Sequence, residues 1–255
     1  MAKKILLIVE GDSDEVKFLK YLFNNCNKKT EYKVYTYRTN IHVLAQELFN
    51  NYNDFDEGNV DVKLVLASCE DNDRRKQLLY DTYSDIYMIF DFDPQHDCPH
   101  FDTIRRMISY FNDSTLQGKL FINYPMMQSY KHFDKLPCAS FENLEVTLEE
   151  IKKYKMIVGS ISGFTDLTKY NYITYYSIAV HHLKKANKMI NGLYEILDID
   201  DYLKLDFCSI YDFQLTSFKE RKTISVLNTC VFSLIDFAPN KFFSFIQKHK
   251  VDLLI

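Results

Sequence analysis

Short apolar runs alternate with amphipathic segments over the first half of the chain. The runs predict buried strands at Lys3–Val9, Tyr32–Tyr37, Val60–Ala67, Ile86–Phe90 and Gly118–Tyr124. Between them, apolar residues recur at spacings of three and four, which predicts helices at Val16–Phe23, Ile41–Tyr52, Asp73–Tyr83 and Phe101–Phe111. Strands that alternate with helices are typical of a mostly parallel sheet. Residues 1–133 are therefore expected to form a Rossmann-like α/β domain with flanking helices.

The pattern changes in the second half, where convincing strand signals are lacking. Helical periodicity extends over residues 141–154, 174–197, 208–229 and 240–250. The chain has only 6 Gly and 5 Pro, so no linker composition separates the two halves. Residues 134–255 are expected to form a mainly helical region packed on the first domain. This region is a candidate to bind a partner, the substrate or a second copy of the chain as a homodimer.

The strand predicted at Ile86–Phe90 ends in an acidic pair. Asp91 and Asp93 follow it, and Pro94 prevents the strand from continuing in the interior of a sheet. Ligands of open α/β sheets bind beyond the carboxyl ends of the strands, and carboxylate oxygens suit a hard cation such as Mg²⁺. The alternative is that both aspartates only shape a turn and cap a helix, two positions that Asp favours.

A second acidic turn follows the first predicted strand. Glu10 comes directly after that strand, Gly11 permits a tight turn, and Asp14 lies one helical turn beyond Glu10. Parallel strands end at the same edge of a sheet, so we expect Glu10 and Asp14 to converge on the aspartate pair. Several carboxylates in one place repel each other unless a divalent cation neutralises them. The two turns together predict a metal site, and a pair of ions about 4 Å apart would suit phosphodiester chemistry.

Composition and charge narrow the class of protein. With 47% hydrophobic and 26% charged residues, the chain is globular rather than disordered. Its 19 Tyr and 20 Phe predict a large aromatic core. Residues 1–133 carry the whole net charge of −4, whereas residues 134–255 are neutral. Because there is no overall basic surface, any contact with nucleic acid must be local or assisted by a metal.

The expected compartment is the cytoplasm. The sequence contains no signal peptide and no apolar run of 18 residues, so no membrane association is expected. The six cysteines are scattered and form no Cys-x-x-Cys pair, which is typical of reduced thiols rather than of a disulfide framework.

The two acidic motifs resemble those of the TOPRIM domain, which occurs in type IA and II topoisomerases, DnaG-type primases and OLD-family nucleases. The resemblance lies in Ile-Leu-Leu-Ile-Val-Glu10-Gly11 and in Ile-Phe-Asp91-Phe-Asp93, about 80 residues further on, and it covers roughly residues 1–133. The spacing of Glu10 and Asp14 is more similar to the OLD nucleases than to the topoisomerases. The small TOPRIM proteins of bacterial phage-defence systems are similar in size and layout.

This resemblance implies a metal-dependent endonuclease. Glu10, Asp14, Asp91 and Asp93 would hold one or two Mg²⁺ or Mn²⁺ ions, with Glu10 also taking part in catalysis. The substrate would be DNA or RNA, including tRNA, and the sequence does not decide between them. The family further implies a toxic effector of anti-phage or abortive-infection defence, held in check by a regulatory partner such as an ATPase.

OLD-type nucleases also carry a basic residue near the metals. The strand predicted at 118–124 is expected beside the core strand, so Lys131 is the catalytic candidate that follows from the resemblance, and Lys119 is the second choice. The alternative for both is an ordinary solvated lysine. Arg74–Lys76 and Arg105–Arg106 are further candidates for phosphate contacts, again with a solvated helix surface as the alternative.

The chain departs from the family pattern in several places. Pro94-Gln95-His96 stands where a glycine is often found, and no Walker sequence is present, so the ATPase half of an OLD protein is missing. One alternative is a catalytically inactive TOPRIM scaffold. Another is a haloacid-dehalogenase-like phosphatase, although that chemistry usually places its Asp-x-Asp pair on the first strand. The cluster at residues 96–100 contains two His, an Asp and a Cys, but its spacing matches no standard zinc site, and a polar loop is favoured.

Overall fold

The computed structural model describes residues 3–26, 30–51 and 60–249. The chain divides into two compact units. The first contains Met1–Phe23 and Asn27–Ile122, and the second contains Asn24–Cys26 and Asn123–Ile255.

The first unit is built on one sheet. Its strands are β1 (Lys4–Val9), β2 (Glu31–Thr36), β3 (Asp85–Asp91), β4 (Asn112–Asp113) and β5 (Gly118–Asn123). Among the described residues their order is β2-β1-β3-β5-β4. β1 pairs in parallel with both β2 and β3, and β4 pairs antiparallel with β5. The expectation of an α/β fold with a mostly parallel sheet is thereby confirmed.

The central strands β1 and β3 form the core of this unit. Every residue from Ile5 to Val9 is completely buried, and so is every residue from Tyr87 to Phe90. Parallel strands covered by helices on both faces require such continuous apolar runs, which explains why both strands were visible in the sequence.

Helices fill the connections of the first unit. They are α1 (Asp14–Cys26), α2 (Ile41–Asn51), α3 (Val62–Ser68), α4 (Asp73–Tyr80) and α5 (Phe101–Tyr110). Three of the four predicted helices lie within the described residues with similar bounds. The remaining prediction, Ile41–Tyr52, corresponds to α2, but its predicted end at Tyr52 and the polar stretch that follows it fall outside the described residues.

The strand predicted at Val60–Ala67 is wrong, because this segment contains α3. Oδ1 of Asp61 accepts a hydrogen bond from the Lys63 N–H at 2.8 Å and so caps the amino end of the helix. Apolar residues three and four positions apart then face inward. The buried residues of this helix are Val62, Val65, Leu66 and Ala67. A short apolar run suits a strand or a buried helix equally well, and here the cap favours the helix.

The second unit is mainly helical, as expected. Its helices are α6 (Leu148–Ile151), α7 (Tyr154–Ile161), α8 (Tyr172–Asn191), α9 (Ile199–Leu203), α10 (Phe207–Arg221), α11 (Ser233–Phe237) and α12 (Pro239–His249). Short 3₁₀ segments lie at Met127–Lys131, Ala139–Asn143, Leu167–Lys169 and Cys230–Phe232. The predicted end of the last helix, at Lys250, lies outside the described residues.

The second unit also contains a small antiparallel sheet that the periodicity did not predict. Its strands are β6 (Glu145–Thr147) and β7 (Thr223–Ser225). The helix predicted over residues 141–154 is therefore wrong, and the helix predicted over 208–229 ends at Arg221. Lys222 adopts a left-handed conformation (φ 57°), which ends α10 and turns the chain into β7. Gly192 (φ 78°) ends α8 in the same way, before the predicted end at Leu197.

Buried aromatic and histidine side chains make up much of this second core. The rings of Phe133 and Phe141 lie 4.4 Å apart, and His182 packs edge-on against Phe141 at 4.8 Å. His181 and His182 accept backbone hydrogen bonds from Cys138 N–H and Asn228 N–H. Both histidines are thus explained by the packing of α8.

All six cysteines are free thiols, and no helix in the described part of the chain is long and apolar enough to cross a membrane.

Candidate functional site

The two acidic turns of the sequence lie side by side at one edge of the sheet. Val9 at the end of β1 is in register with Ile89 of β3. The pairing continues one residue further, because the Glu10 N–H donates to the Ile89 carbonyl at 3.2 Å. The side chain of Glu10 then turns toward β3, where its Oε2 accepts a hydrogen bond from the Asp91 N–H at 3.1 Å. The convergence expected from the polarity of the strands is therefore present between Glu10 and Asp91.

A solvent-open cleft of about 640 Å³ lies at this edge. It is formed by the segments that follow three neighbouring parallel strands, β1, β2 and β3, at the edge where α/β proteins bind ligands. Glu10 and Asp93 both line this cleft, together with Arg38 and other residues of the three segments. The remaining lining residues are Gly11, Asp12, Thr39 and Asn40.

Asp93 and Arg38 have unusual backbone conformations. Both are non-glycine residues in the left-handed region, with φ of 41° at Asp93 and 68° at Arg38. This region costs an L-amino acid roughly 1 kcal/mol or more, and Asp tolerates it better than most residues. Strained positions that line the same cleft are typical of functional sites, where surrounding contacts hold the conformation.

His42 of α2 supplies one of those contacts. Its Nε2 lies 3.0 Å from the carbonyl oxygen of Asp93, and its Nδ1 accepts a hydrogen bond from the His100 N–H at 3.1 Å. The His42 side chain is completely buried. Burial is the largest influence on this imidazole and lowers its pKa below the usual value. A single side chain thus bonds to both ends of the segment from Asp93 to His100.

The start of α2 is itself defined by a side chain of the cleft. Oδ1 of Asn40 accepts hydrogen bonds from the N–H groups of His42 and Val43, at 3.0 and 3.1 Å. This N-cap fixes where the helix begins and hence where the His42 side chain leaves it.

Two neighbouring acidic residues at the start of α1 have different environments. Asp14 is exposed and is not among the residues that line the cleft. Glu15 is 8% exposed, and its Oε2 lies 2.6 Å from the point that a Cβ on Gly11 would occupy. Gly11 therefore leaves room for the Glu15 carboxylate, while its backbone lies outside the left-handed region that favours glycine. Asp14 was the acidic residue predicted here from the sequence, and no sequence pattern singled out Glu15.

The lysine candidates lie in different parts of the chain. Lys119 is in β5, and its Nζ lies 5.7 Å from the centre of the Phe121 ring. Lys131 ends the 3₁₀ segment Met127–Lys131 of the second unit, with its Nζ 5.7 Å from the Tyr130 ring. A catalytic role for Lys131 stays a prediction. The cation that lines the acidic cleft is Arg38, which follows β2 and was not singled out in the sequence.

Arg75, another candidate for phosphate binding, is engaged within the first unit. Its guanidinium donates to Glu70 Oε2 at 2.7 Å and to the Thr36 carbonyl at 2.6 Å. It also lies 4.8 Å from the centre of the Tyr35 ring. These contacts tie α4 to β2 and favour a structural role.

The ligand-rich segment after Asp93 does not assemble a zinc site. His96 stacks on His42 with a ring distance of 4.8 Å, and Asp97 and Cys98 are exposed. Within residues 3–26, 30–51 and 60–249, no group of three or more His, Cys, Asp or Glu side chains is arranged to hold a metal ion. The polar-loop interpretation of residues 96–100 is therefore favoured. The same result means that the four predicted carboxylates do not form a ready-made protein cage.

Comparisons of the chain with protein-family models, with curated proteins and with solved structures find no match.

Proposed function

We propose that the protein is a divalent-metal-dependent nuclease whose site is the cleft between the ends of β1, β2 and β3. The observation that carries this proposal is the shared position of Glu10 and Asp93, two carboxylates from distant parts of the chain that line one open cleft. The hydrogen bond from the Asp91 N–H to Glu10 Oε2 supports it, because it joins the two acidic turns directly.

The donor set of the cleft fits Mg²⁺ or Mn²⁺. Mg²⁺ usually keeps several water ligands and is held by one or two carboxylates together with substrate phosphates, rather than by a complete protein cage. Glu10 and Asp93 are the residues that would hold such an ion, and Asp91, whose backbone N–H donates to Glu10, is the further ligand that the family resemblance implies. When bound, a divalent ion supplies an activated water and neutralises the charge that develops on the phosphate.

Arg38 gives the cleft a site for the phosphate backbone of a nucleic acid. Its Nε lies 3.7 Å from Oδ2 of Asp12, and both side chains are more than 60% exposed. Ion pairs as exposed as this one contribute little, so exchanging Asp12 for a phosphate oxygen has a small cost. The left-handed backbone of Arg38 sets the direction in which its side chain leaves the β2 segment.

The biological role that we propose follows the resemblance to small TOPRIM proteins of phage defence. In that role the nuclease would be a toxic effector that acts on DNA or RNA, including tRNA, under the control of a protein partner such as an ATPase. The nearly neutral second unit would then serve partner or substrate contacts.

A binding module without catalytic activity is the second candidate. The observation that favours it is the lack of a ready-made group of three metal ligands among the described residues. On this alternative, Glu10 and Asp93 would shape a polar docking cleft, and neither carboxylate would be needed to cut a phosphodiester.

The test is cleavage of plasmid, single-stranded DNA and total tRNA by the purified full-length protein, with Mg²⁺, with Mn²⁺ and with EDTA. We expect cutting that EDTA abolishes and that Glu10→Gln, Asp91→Asn and Asp93→Asn each reduce at least about 100-fold, because each removes a charged oxygen at the metal. Glu31→Gln is the matched control, since Glu31 is an exposed acid at the opposite end of the neighbouring strand β2.

Each alternative result has a definite meaning. Cutting that survives EDTA, or that survives both Glu10→Gln and Asp93→Asn, overturns the proposed site. Hydrolysis of a small phosphomonoester without cutting of any nucleic acid would identify a phosphatase. Binding of nucleic acid without any cleavage, in every metal, would favour the binding module.

A further inference from the structure

We propose that His42 is a positioning residue for the candidate site, and that its Nε2–H tautomer holds the backbone of Asp93 in the left-handed conformation. The effect of His42 on metal binding rests on the proposed function, whereas its effect on the backbone of Asp93 does not. No motif in the sequence marks His42, because the contacts are made to residues more than fifty positions away.

The hydrogen bonds of His42 decide where its ring proton lies. A backbone N–H can only donate, so the bond from the His100 N–H requires an unprotonated Nδ1. In a neutral imidazole the proton is then on Nε2, which points at the carbonyl oxygen of Asp93 at 3.0 Å. The ring therefore accepts from one end of the Asp93–His100 segment and donates to the other.

Packing leaves this ring one orientation. The His42 side chain is completely buried, stacked on His96 at an interplanar angle of 20° and met edge-on by Phe101 at 5.6 Å. The Asn40 cap fixes the backbone from which the side chain extends. A buried ring with both nitrogens bonded cannot turn over without losing two hydrogen bonds.

The conformation that His42 holds is one that needs support. Asp93 has φ of 41°, which is unfavourable for a residue with a Cβ, and it lines the cleft next to Glu10. A donor aimed at its carbonyl oxygen stabilises this conformation over extended alternatives. A ligand group that is already held in place loses less conformational freedom when a cation binds, which raises affinity without adding a contact to the cation.

Three variants separate positioning from simple packing. His42→Phe keeps an aromatic ring of similar size but removes both hydrogen bonds. His42→Gln restores a donor at the place of Nε2, and His42→Asn restores a polar atom at the place of Nδ1 only. If the bond to Asp93 is what matters, Gln should recover the wild-type behaviour and Asn should not, at matched thermal stability.

The first test needs no metal. ¹⁵N NMR of the wild-type protein should show His42 as the Nε2–H tautomer. Hydrogen exchange of residues 93–100 should be about tenfold faster in His42→Phe, the effect of losing roughly 1.4 kcal/mol of local stability, and should return toward wild type in His42→Gln. An Nδ1–H tautomer, or equal exchange in all four proteins, overturns the proposal.

The second test uses Mn²⁺ alone, followed by electron paramagnetic resonance. We expect about tenfold weaker Mn²⁺ binding in His42→Phe, recovery in His42→Gln, and loss of binding in Glu10→Gln. Equal Mn²⁺ affinity in the wild type and His42→Phe overturns the effect of His42 on the site. Absence of Mn²⁺ binding to the wild type contradicts the proposed metal function, while the tautomer and exchange measurements still decide whether His42 positions Asp93.

Discussion

The peptide N–H of Asp91 donates a hydrogen bond to the Glu10 carboxylate at 3.1 Å, across 81 positions of sequence. This bond joins the ends of two neighbouring parallel strands, and it fixes the Glu10 side chain at the mouth of the acidic cleft. A carboxylate has several lone-pair sites, so accepting one hydrogen bond from the backbone is compatible with binding a cation. The same residue thus has a structural contact and a proposed chemical role, and the two can be separated by mutation.

Replacement of Glu10 should separate stability from activity. Glu10→Gln keeps an oxygen that can accept from the Asp91 N–H, so we expect the free energy of unfolding to change by less than about 0.5 kcal/mol. Glu10→Ala leaves that half-buried N–H without its acceptor and should cost about 1–2 kcal/mol. Both variants should lose metal-dependent cleavage. Urea unfolding and cleavage assays on the same preparations check this, and equal stability of the two variants would contradict the structural part.

Gly11 and Glu15 should be energetically coupled. A Cβ at position 11 would meet Glu15 Oε2 at 2.6 Å, so Gly11→Ala must displace this largely buried carboxylate. Because the atoms that must shift are the end of a flexible side chain, we expect Gly11→Ala to cost at most about 1 kcal/mol in the wild type and less when Glu15 is Ala, since the clash is then absent. A double-mutant cycle by urea unfolding measures the coupling, and additive effects would show that Glu15 moves away freely.

Arg38 should contribute to nucleic-acid binding through a phosphate contact. Arg38→Gly suits the left-handed backbone, so we expect stability to be unchanged or increased by up to about 1 kcal/mol while affinity for nucleic acid falls. The slope of log affinity against log salt concentration should decrease by about 1. Fluorescence anisotropy of labelled oligonucleotides measures both quantities.

Two further variants make this measurement specific. Lys20→Ala is the control, since Lys20 is an exposed cation on α1 that does not line the cleft. Lys131→Ala tests the lysine that the family resemblance implies. Loss of cleavage in Lys131→Ala together with unchanged binding in Arg38→Gly would assign the basic role to Lys131 instead.

Acid should destabilise the second unit through His132. The His132 Nδ1 lies 2.9 Å from the Tyr154 hydroxyl, and burial lowers the pKa of this imidazole from 6.5 to about 4. Between these values the unfolded chain binds a proton that the folded protein does not, so stability falls as the pH falls from about 6.5 to 4. The loss is about 1.4 kcal/mol per pH unit at most, or about 3 kcal/mol in total.

The control for this pH dependence is His132→Asn, which keeps a polar atom near Tyr154 but does not titrate. The difference in unfolding free energy between wild type and variant, measured in urea at pH 7 and pH 4, should shift by about 3 kcal/mol in favour of the variant. A constant difference over this range would show that His132 does not remain neutral in the folded protein. The pKa of His182 is lowered mainly by burial, which is common to both proteins, so its contribution to the difference is small.

Local sequence predicted those elements whose burial leaves an unambiguous pattern. β1 and β3 are buried on both faces, so their apolar runs and the acidic residues that end them are visible without any knowledge of neighbours. The segment at Val60–Ala67 was misassigned because eight apolar-rich residues fit a strand as well as a buried helix. The short strands β6 and β7 were missed because three residues are too few to show a period.

The sequence by itself determined that two parallel strands end in acidic turns, and therefore that Glu10 approaches Asp91 and Asp93. Only the tertiary structure decided that Glu15 rather than Asp14 turns inward, that Arg38 lines the cleft, and that His42 bonds to Asp93. The reason is physical: strand direction follows from local patterns, whereas the side chains that meet at a sheet edge depend on strand order and on helix caps. Those contacts join residues that are far apart in the sequence, so no local hydrophobic pattern reveals them.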